Sequence, residues 1–118
     1  MSVVLQVSFV WDEEEDKVRA ASLAQARDLA LRTEFIWKMI VRDPQSRISG
    51  AVYLFADRQK AEAWRAELLE RRGPSIEARI FEVDEEASRL TRAPLCGGAS
   101  SAAIAGLPVD RLDASNDE

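Results

Sequence analysis

Trp37 and Tyr53 are the residues best suited to hold and orient an aromatic ligand. They lie in residues 34–55, EFIWKMIVRDPQSRISGAVYLF, where two apolar runs flank a polar, Pro-containing break. An indole offers one N–H donor and a large π face, and a phenol can donate to or accept from a substrate oxygen. Together they form the candidate catalytic pair, with Tyr53 the only tyrosine in the chain. Each also has a plainer role open to it: Trp37 as core packing, Tyr53 as a strand residue whose hydroxyl reaches solvent or backbone. Phe9, Met39 and Trp64 are candidate walls of a substrate pocket, and Gln6 is a candidate polar contact. Lys38 alternates with Trp37 and so is expected on the opposite side of the strand. Buried between subunits, it would need an acid from the partner.

Composition excludes much of the familiar repertoire. The 118 residues contain no histidine, which removes Ser-His-Asp and Cys-His nucleophiles, His-ligated metals and a His-ligated haem. The lone asparagine is Asn116. No His-ligated metal or haem is therefore expected. The single cysteine, Cys96, has no intramolecular disulfide partner, and a reducing, cytoplasmic setting is expected. The net charge is -5, with 21 acids against 16 bases and no clustered basic face, so no nucleic-acid partner is expected. No apolar run approaches the roughly 18 residues that a membrane span needs. The opening MSVVLQVSFVW lacks a basic n-region and reads as a strand, not a signal peptide.

These side chains have to be positioned by regular elements. Residues 3–11, VVLQVSFVW, form a strand with Val3, Leu5, Val7 and Phe9 on one face. The acidic run DEEED then opens a helix to about Thr33, with Val18, Ser22, Ala26, Leu29 and Ala30 near one stripe. EFIWKMIVR is a second strand, on which Phe35, Trp37, Met39 and Val41 are expected toward the helices and Ile36, Lys38, Ile40 and Arg42 away from them. Asp43-Pro44-Gln45-Ser46 is turn chemistry, and Ile48 to Phe55 completes a hairpin, with Gly50 marking a bulge or a close approach. Asp57 caps a second helix whose buried stripe is Ala61, Trp64 and Leu68; Gly73 and Pro74 stop it. Residues 75–84 form a fourth strand, and EEASRL a short helix.

The order is β-α-β-β-α-β. With right-handed crossovers it folds into an α+β, ferredoxin-like domain: a four-stranded antiparallel sheet with both helices on one face. The other face is too apolar for water, so a homodimer packed sheet to sheet is expected. The domain is expected to span residues 1–95, and residues 96–118, rich in Gly, Ala and Ser, read as a flexible tail.

The segments FIWK, AVYLFADRQKAEAW and ARIFEVDEEASRL, with LQVSF near the start, resemble the YdhR-type monooxygenases of the dimeric α/β-barrel superfamily. The resemblance covers about residues 3–95, and its most specific pieces are Phe35-x-Trp37-Lys38 and Tyr53-Leu54-Phe55-x-Asp57. It implies a homodimer whose sheets build a barrel, each subunit keeping a pocket between its sheet and its helices. It also implies oxidation of an aromatic or apolar small molecule by O₂, since some superfamily members do this with neither metal nor flavin. The haem-degrading branch uses an Asn, a Trp and a His, and the quinone-forming branch leans on a pocket Asn; neither mechanism transfers to a chain without those residues. The alternative is a homodimer that binds an apolar metabolite without transforming it.

Overall fold

The computed structural model describes residues 1–96. The tail expectation, residues 96–118, thus lies outside the described residues except for Cys96, which is exposed. In order come β1 (Val3–Val10), α1 (Glu15–Leu29), β2 (Trp37–Asp43), β3 (Ile48–Phe55), α2 (Arg58–Arg72), β4 (Glu77–Glu82) and α3 (Glu85–Leu90). The sheet is antiparallel with order β2-β3-β1-β4, so β1 and β3 are central. This is the expected ferredoxin-like α+β architecture. Among the described residues no helix is long and apolar enough to cross a membrane.

Local chemistry sets the boundaries. Asp57 accepts from the Lys60 backbone N–H at 2.9 Å, satisfying one of the free donors at the start of α2. Gly73 ends that helix at φ 77°, a conformation that costs other residues dearly, while its N–H returns to the Leu69 carbonyl. Between β2 and β3 the Asp43 carboxylate takes the Gln45 N–H at 3.1 Å and the Ser46 hydroxyl at 2.8 Å. The Ser46 hydroxyl above all keeps the Asp43 carboxyl below its ordinary range. Asp84 caps α3 in the same way as Asp57 caps α2, through the Ala87 N–H at 3.1 Å. Glu85 Oε2 then takes the Ser2 backbone N–H at 2.8 Å, fastening the start of the chain to α3.

The core lies between the sheet and α2. Val3, Leu5 and Val7 of β1 meet Phe55, Tyr53 and Ala51 of β3, and the stripe Ala61, Trp64 and Leu68 closes over them. Trp64, Phe35, Tyr53 and Phe55 form one aromatic cluster with centroids 5.3 to 6.4 Å apart. Edge-on and offset rings at these separations add to the stabilisation from burial alone. By contrast α1 is thinly seated and buries only Val18 and Leu29. It also ends at Leu29 rather than near Thr33, and Ala30 is exposed instead of lying on the buried stripe.

The connection after α1 is held by a fork. Arg32 donates from Nε to Glu34 Oε1 at 3.0 Å and from Nη2 to Oε2 at 2.8 Å. These bonds lower the Glu34 carboxyl from 4.5 to about 2. A carboxylate depressed on folding contributes stability above its unfolded pKa and loses it as pH falls toward the folded value. Glu34→Gln is therefore expected to melt slightly below the parent at neutral pH, with the two melting temperatures converging between pH 4.5 and about 2. A gap that stayed constant across that window would mean the fork contributes nothing.

One expectation about the sheet is corrected. Trp37, Met39 and Val41 were expected to face the helices, but the pairing Lys38↔Tyr53 and Ile40↔Ala51 puts Lys38 and Ile40 on the helix side. Trp37, Met39 and Val41 stand on the open face with Leu54, Val52, Gly50, Gln6 and Ser8. The reason is a bend at residues 34–36, just before β2 begins. Phe35 reaches the aromatic core from that bend, so its side does not carry over to Trp37.

Candidate functional site

The helix-covered side of the sheet holds a cavity of about 270 Å³ beneath α1. Its floor is Val7 and Phe9 of β1 with Ala51 and Tyr53 of β3, its roof Val18, Ser22 and Gln25 of α1, and Leu68 and Arg72 of α2 close one side. Small residues make the room: Ala51 and Gly50 on the sheet, Ala21 and Ser22 on the helix. At roughly 30 Å³ per water the space equals about nine waters, enough for a molecule of one or two rings.

Polar groups and apolar walls share this space almost evenly. Lys38 Nζ lies 5.0 Å from the centre of the Tyr53 ring and 3.5 Å from Gln25 Oε1. Trp11, at the end of β1, lines the cavity with its indole Nε1 buried and without a hydrogen-bond partner among the described residues. The Arg47 guanidinium covers its ring at 4.8 Å and donates to the Glu13 carbonyl at 2.9 Å. Arg72 stacks over Phe9 at 4.7 Å. The charged residues of the lining are Lys38, Arg72 and one acid, Glu13. The ion pairs among the described residues, Arg32–Glu34, Arg58–Glu62, Arg71–Glu67 and Arg89–Glu85, involve none of them. Among the described residues no three His, Cys, Asp or Glu side chains gather as a metal site would require.

The six residues singled out from the sequence are divided by the sheet. Tyr53, buried at 3% exposure, and Phe9 line the cavity. Trp64 sits behind Tyr53 in the aromatic core and does not reach the lining; the Arg32 guanidinium lies 4.9 Å from its ring. Trp37 is on the open face, where its Nε1 donates to the Pro94 carbonyl at 2.8 Å. That bond draws the segment after α3 across one end of the face, where Leu54 is 0% exposed. Trp37 also borders a second cleft of about 290 Å³ at the sheet edge, shared with Lys38 and Phe35. Met39 and Gln6 are on the open face, Gln6 opposite Arg79 in a groove of about 440 Å³.

Lys38, Trp11 and Gln25 are among the cavity's polar residues that were not singled out as site candidates. A signal for Lys38 was present in the sequence. The turn fixes Asp43 opposite Ile48, and counting back along the hairpin brings Lys38 opposite Tyr53. Directly opposed residues share a face.

The open face explains why a second surface has to be accounted for. Val10, Met39, Val41, Ile48 and Phe81 are all large, apolar and exposed there, from 40% for Ile48 to 73% for Val10. One family model, described as putative mono-oxygenase ydhR, matches residues 4–94. No curated protein matches the chain.

Proposed function

The chain belongs to the ydhR family, and on that premise we propose that it is a cofactor-free monooxygenase of a small aromatic or apolar molecule, bound between sheet and helices. The observation that carries this reading is the cavity itself: a partly open space walled by Phe9, Ala51, Tyr53 and Leu68 and lined also by polar groups. Apolar walls with a few placed polar groups are what a small-molecule site needs.

The chemistry balances without an external reductant. An ionised phenol is electron-rich enough to pass one electron to O₂, giving a phenoxyl radical and superoxide. The radicals combine at a ring carbon, a C–O bond forms, and cleavage of the O–O bond leaves a quinone and one water. One oxygen atom thus enters the product and the other leaves as water. The protein's share is to hold the ring, keep bulk water from the radical pair and fix the attacked carbon. Tyr53 and Phe9 supply the flat walls for the ring, and Gln25 and Ser22 supply polar contacts from the roof.

We also propose that a second copy of the chain covers the open face, the two sheets packing as a barrel. The five exposed apolar residues on that face support this, as does the polar strip of Gln6, Ser8, Glu77 and Arg79 running between them. Sedimentation at micromolar concentration is expected to show a dimer, and a stable monomer would remove this part of the reading.

The test of the activity is oxygen consumption with a panel of one- and two-ring phenols and hydroquinones, using protein stripped of metals by a chelator. Uptake with matching quinone formation is the expected result. Binding with no uptake would leave a carrier or sensor of such molecules in place of an enzyme.

A further inference from the structure

We propose that the cavity takes its aromatic ligand as an anion, and that Lys38 is the counter-ion that selects it. This rests on the reading of the cavity as the substrate site, and goes further by fixing the ligand's charge and the residue that recognises it.

Three observations carry the inference. Lys38 is half-buried at the cavity wall and belongs to none of the ion pairs among the described residues; its side-chain hydrogen bond is the 3.5 Å contact to the neutral Gln25. A charge held away from water without an opposite charge is costly, and a ligand carboxylate or phenolate would offset that cost. The sign of the surroundings agrees. Among the described residues, the charged groups lining the two spaces that Lys38 borders are Arg72 from α2, Glu13, and Arg32, whose charge is already matched by Glu34, so Arg72 and Glu13 offset each other and leave Lys38 in excess. A second polar group of the lining, the buried Trp11 Nε1, is also a donor without a partner among the described residues. Both Lys38 and Trp11 therefore call for acceptor oxygens, and an ionised phenol or aromatic acid supplies them.

Para-nitrophenol is the probe, because its ionised form is coloured and its titration can be followed while bound. An apolar cavity without a cation raises the pKa of a bound phenol by desolvation; a nearby ammonium lowers it. The native protein is expected to shift the titration midpoint of bound para-nitrophenol down by about one unit or more. Lys38→Arg should keep the shift, and Lys38→Met should reverse its direction while still binding the neutral isostere para-nitroanisole. Melting curves of both variants are the check that the fold is kept, and should Met at this edge-strand position fail to fold, the midpoint shift in the native protein still decides the test. Binding with an unchanged or raised midpoint in the native protein would overturn the inference and leave the cavity reading intact. A downward shift that survives in Lys38→Met would overturn it also, by moving the recognition elsewhere, with Arg72 the nearest alternative. Failure of both probes to bind would overturn the cavity reading and this inference together.

Discussion

Ser22→Phe is expected to abolish oxygen uptake and ligand binding while leaving the protein folded. Ser22 sits at mid-helix on α1, half-buried, with its side chain on the cavity roof. A benzyl group there fills a large part of a space of about 270 Å³. Affinity for para-nitroanisole should fall at least about tenfold, the equivalent of roughly 1.4 kcal/mol. The fold should tolerate the change because α1 anchors through Val18 and Leu29, not through position 22. Phe and Ser have similar helix propensities, so unfolding free energy should stay within about 0.5 kcal/mol of the parent. Ser22→Ala, which removes the hydroxyl contact without filling the space, should weaken binding far less than Ser22→Phe. Full activity in Ser22→Phe would move the substrate site off this side of the sheet, and the groove holding Gln6 on the open face would be the place to look.

The largest stability loss is expected at Gly50→Ala. Gly50 lies on β3, paired with Ser8 on one side and Val41 on the other. A Cβ built there would run into the carbonyl oxygen of Val7. That oxygen belongs to the backbone of the central strand β1, and neither strand can retreat without breaking its own ladder. Overpacking of this kind costs about 3 kcal/mol or more, which moves a urea midpoint by about 1 M or more. Gly73→Ala is the instructive comparison. Nothing lies within 4 Å of a Cβ at Gly73, so its cost is the backbone strain of φ 77° with ψ -169° alone, about 1–3 kcal/mol. A Gly50→Ala protein as stable as the parent would mean that β1 and β3 are not packed as closely as the structure has them.

The features legible in the sequence were those with local causes. Asp57 and Gly73 mark the ends of α2 because a cap and a positive φ each demand particular side chains. The stripe Ala61, Trp64 and Leu68 is visible because one apolar face against a charged remainder defines a helix orientation. Strand β3 was expected at Ile48–Phe55 and forms there. Gly50 proves to be a close approach with continuous pairing and no bulge.

The face of β2 was not legible by alternation, because both of its sides carry large apolar residues: Trp37, Met39 and Val41 on one, Ile40 on the other. The tie is broken by the partner strand, and by a bend at residues 34–36 that lets Phe35 enter the core and then changes the phase. The candidate site inherited that ambiguity. Tyr53 and Phe9 meet in the cavity as the sequence suggests, but the Lys38 assigned to a subunit interface is the one that joins them. Trp11 is legible only in three dimensions, since its significance is a buried N–H with no partner among the described residues.

The uneven seating of the two long helices sets where this protein can change. The floor of the cavity is also the hydrophobic core, so any alteration of Val7, Ala51 or Tyr53 is felt by the whole fold. The roof is borne by a helix that contributes little to the core, and Ala21, Ser22 and Gln25 can be exchanged at small cost. New substrate preferences are therefore most accessible to mutation along α1, and divergence among descendants of this chain should accumulate on that helix first.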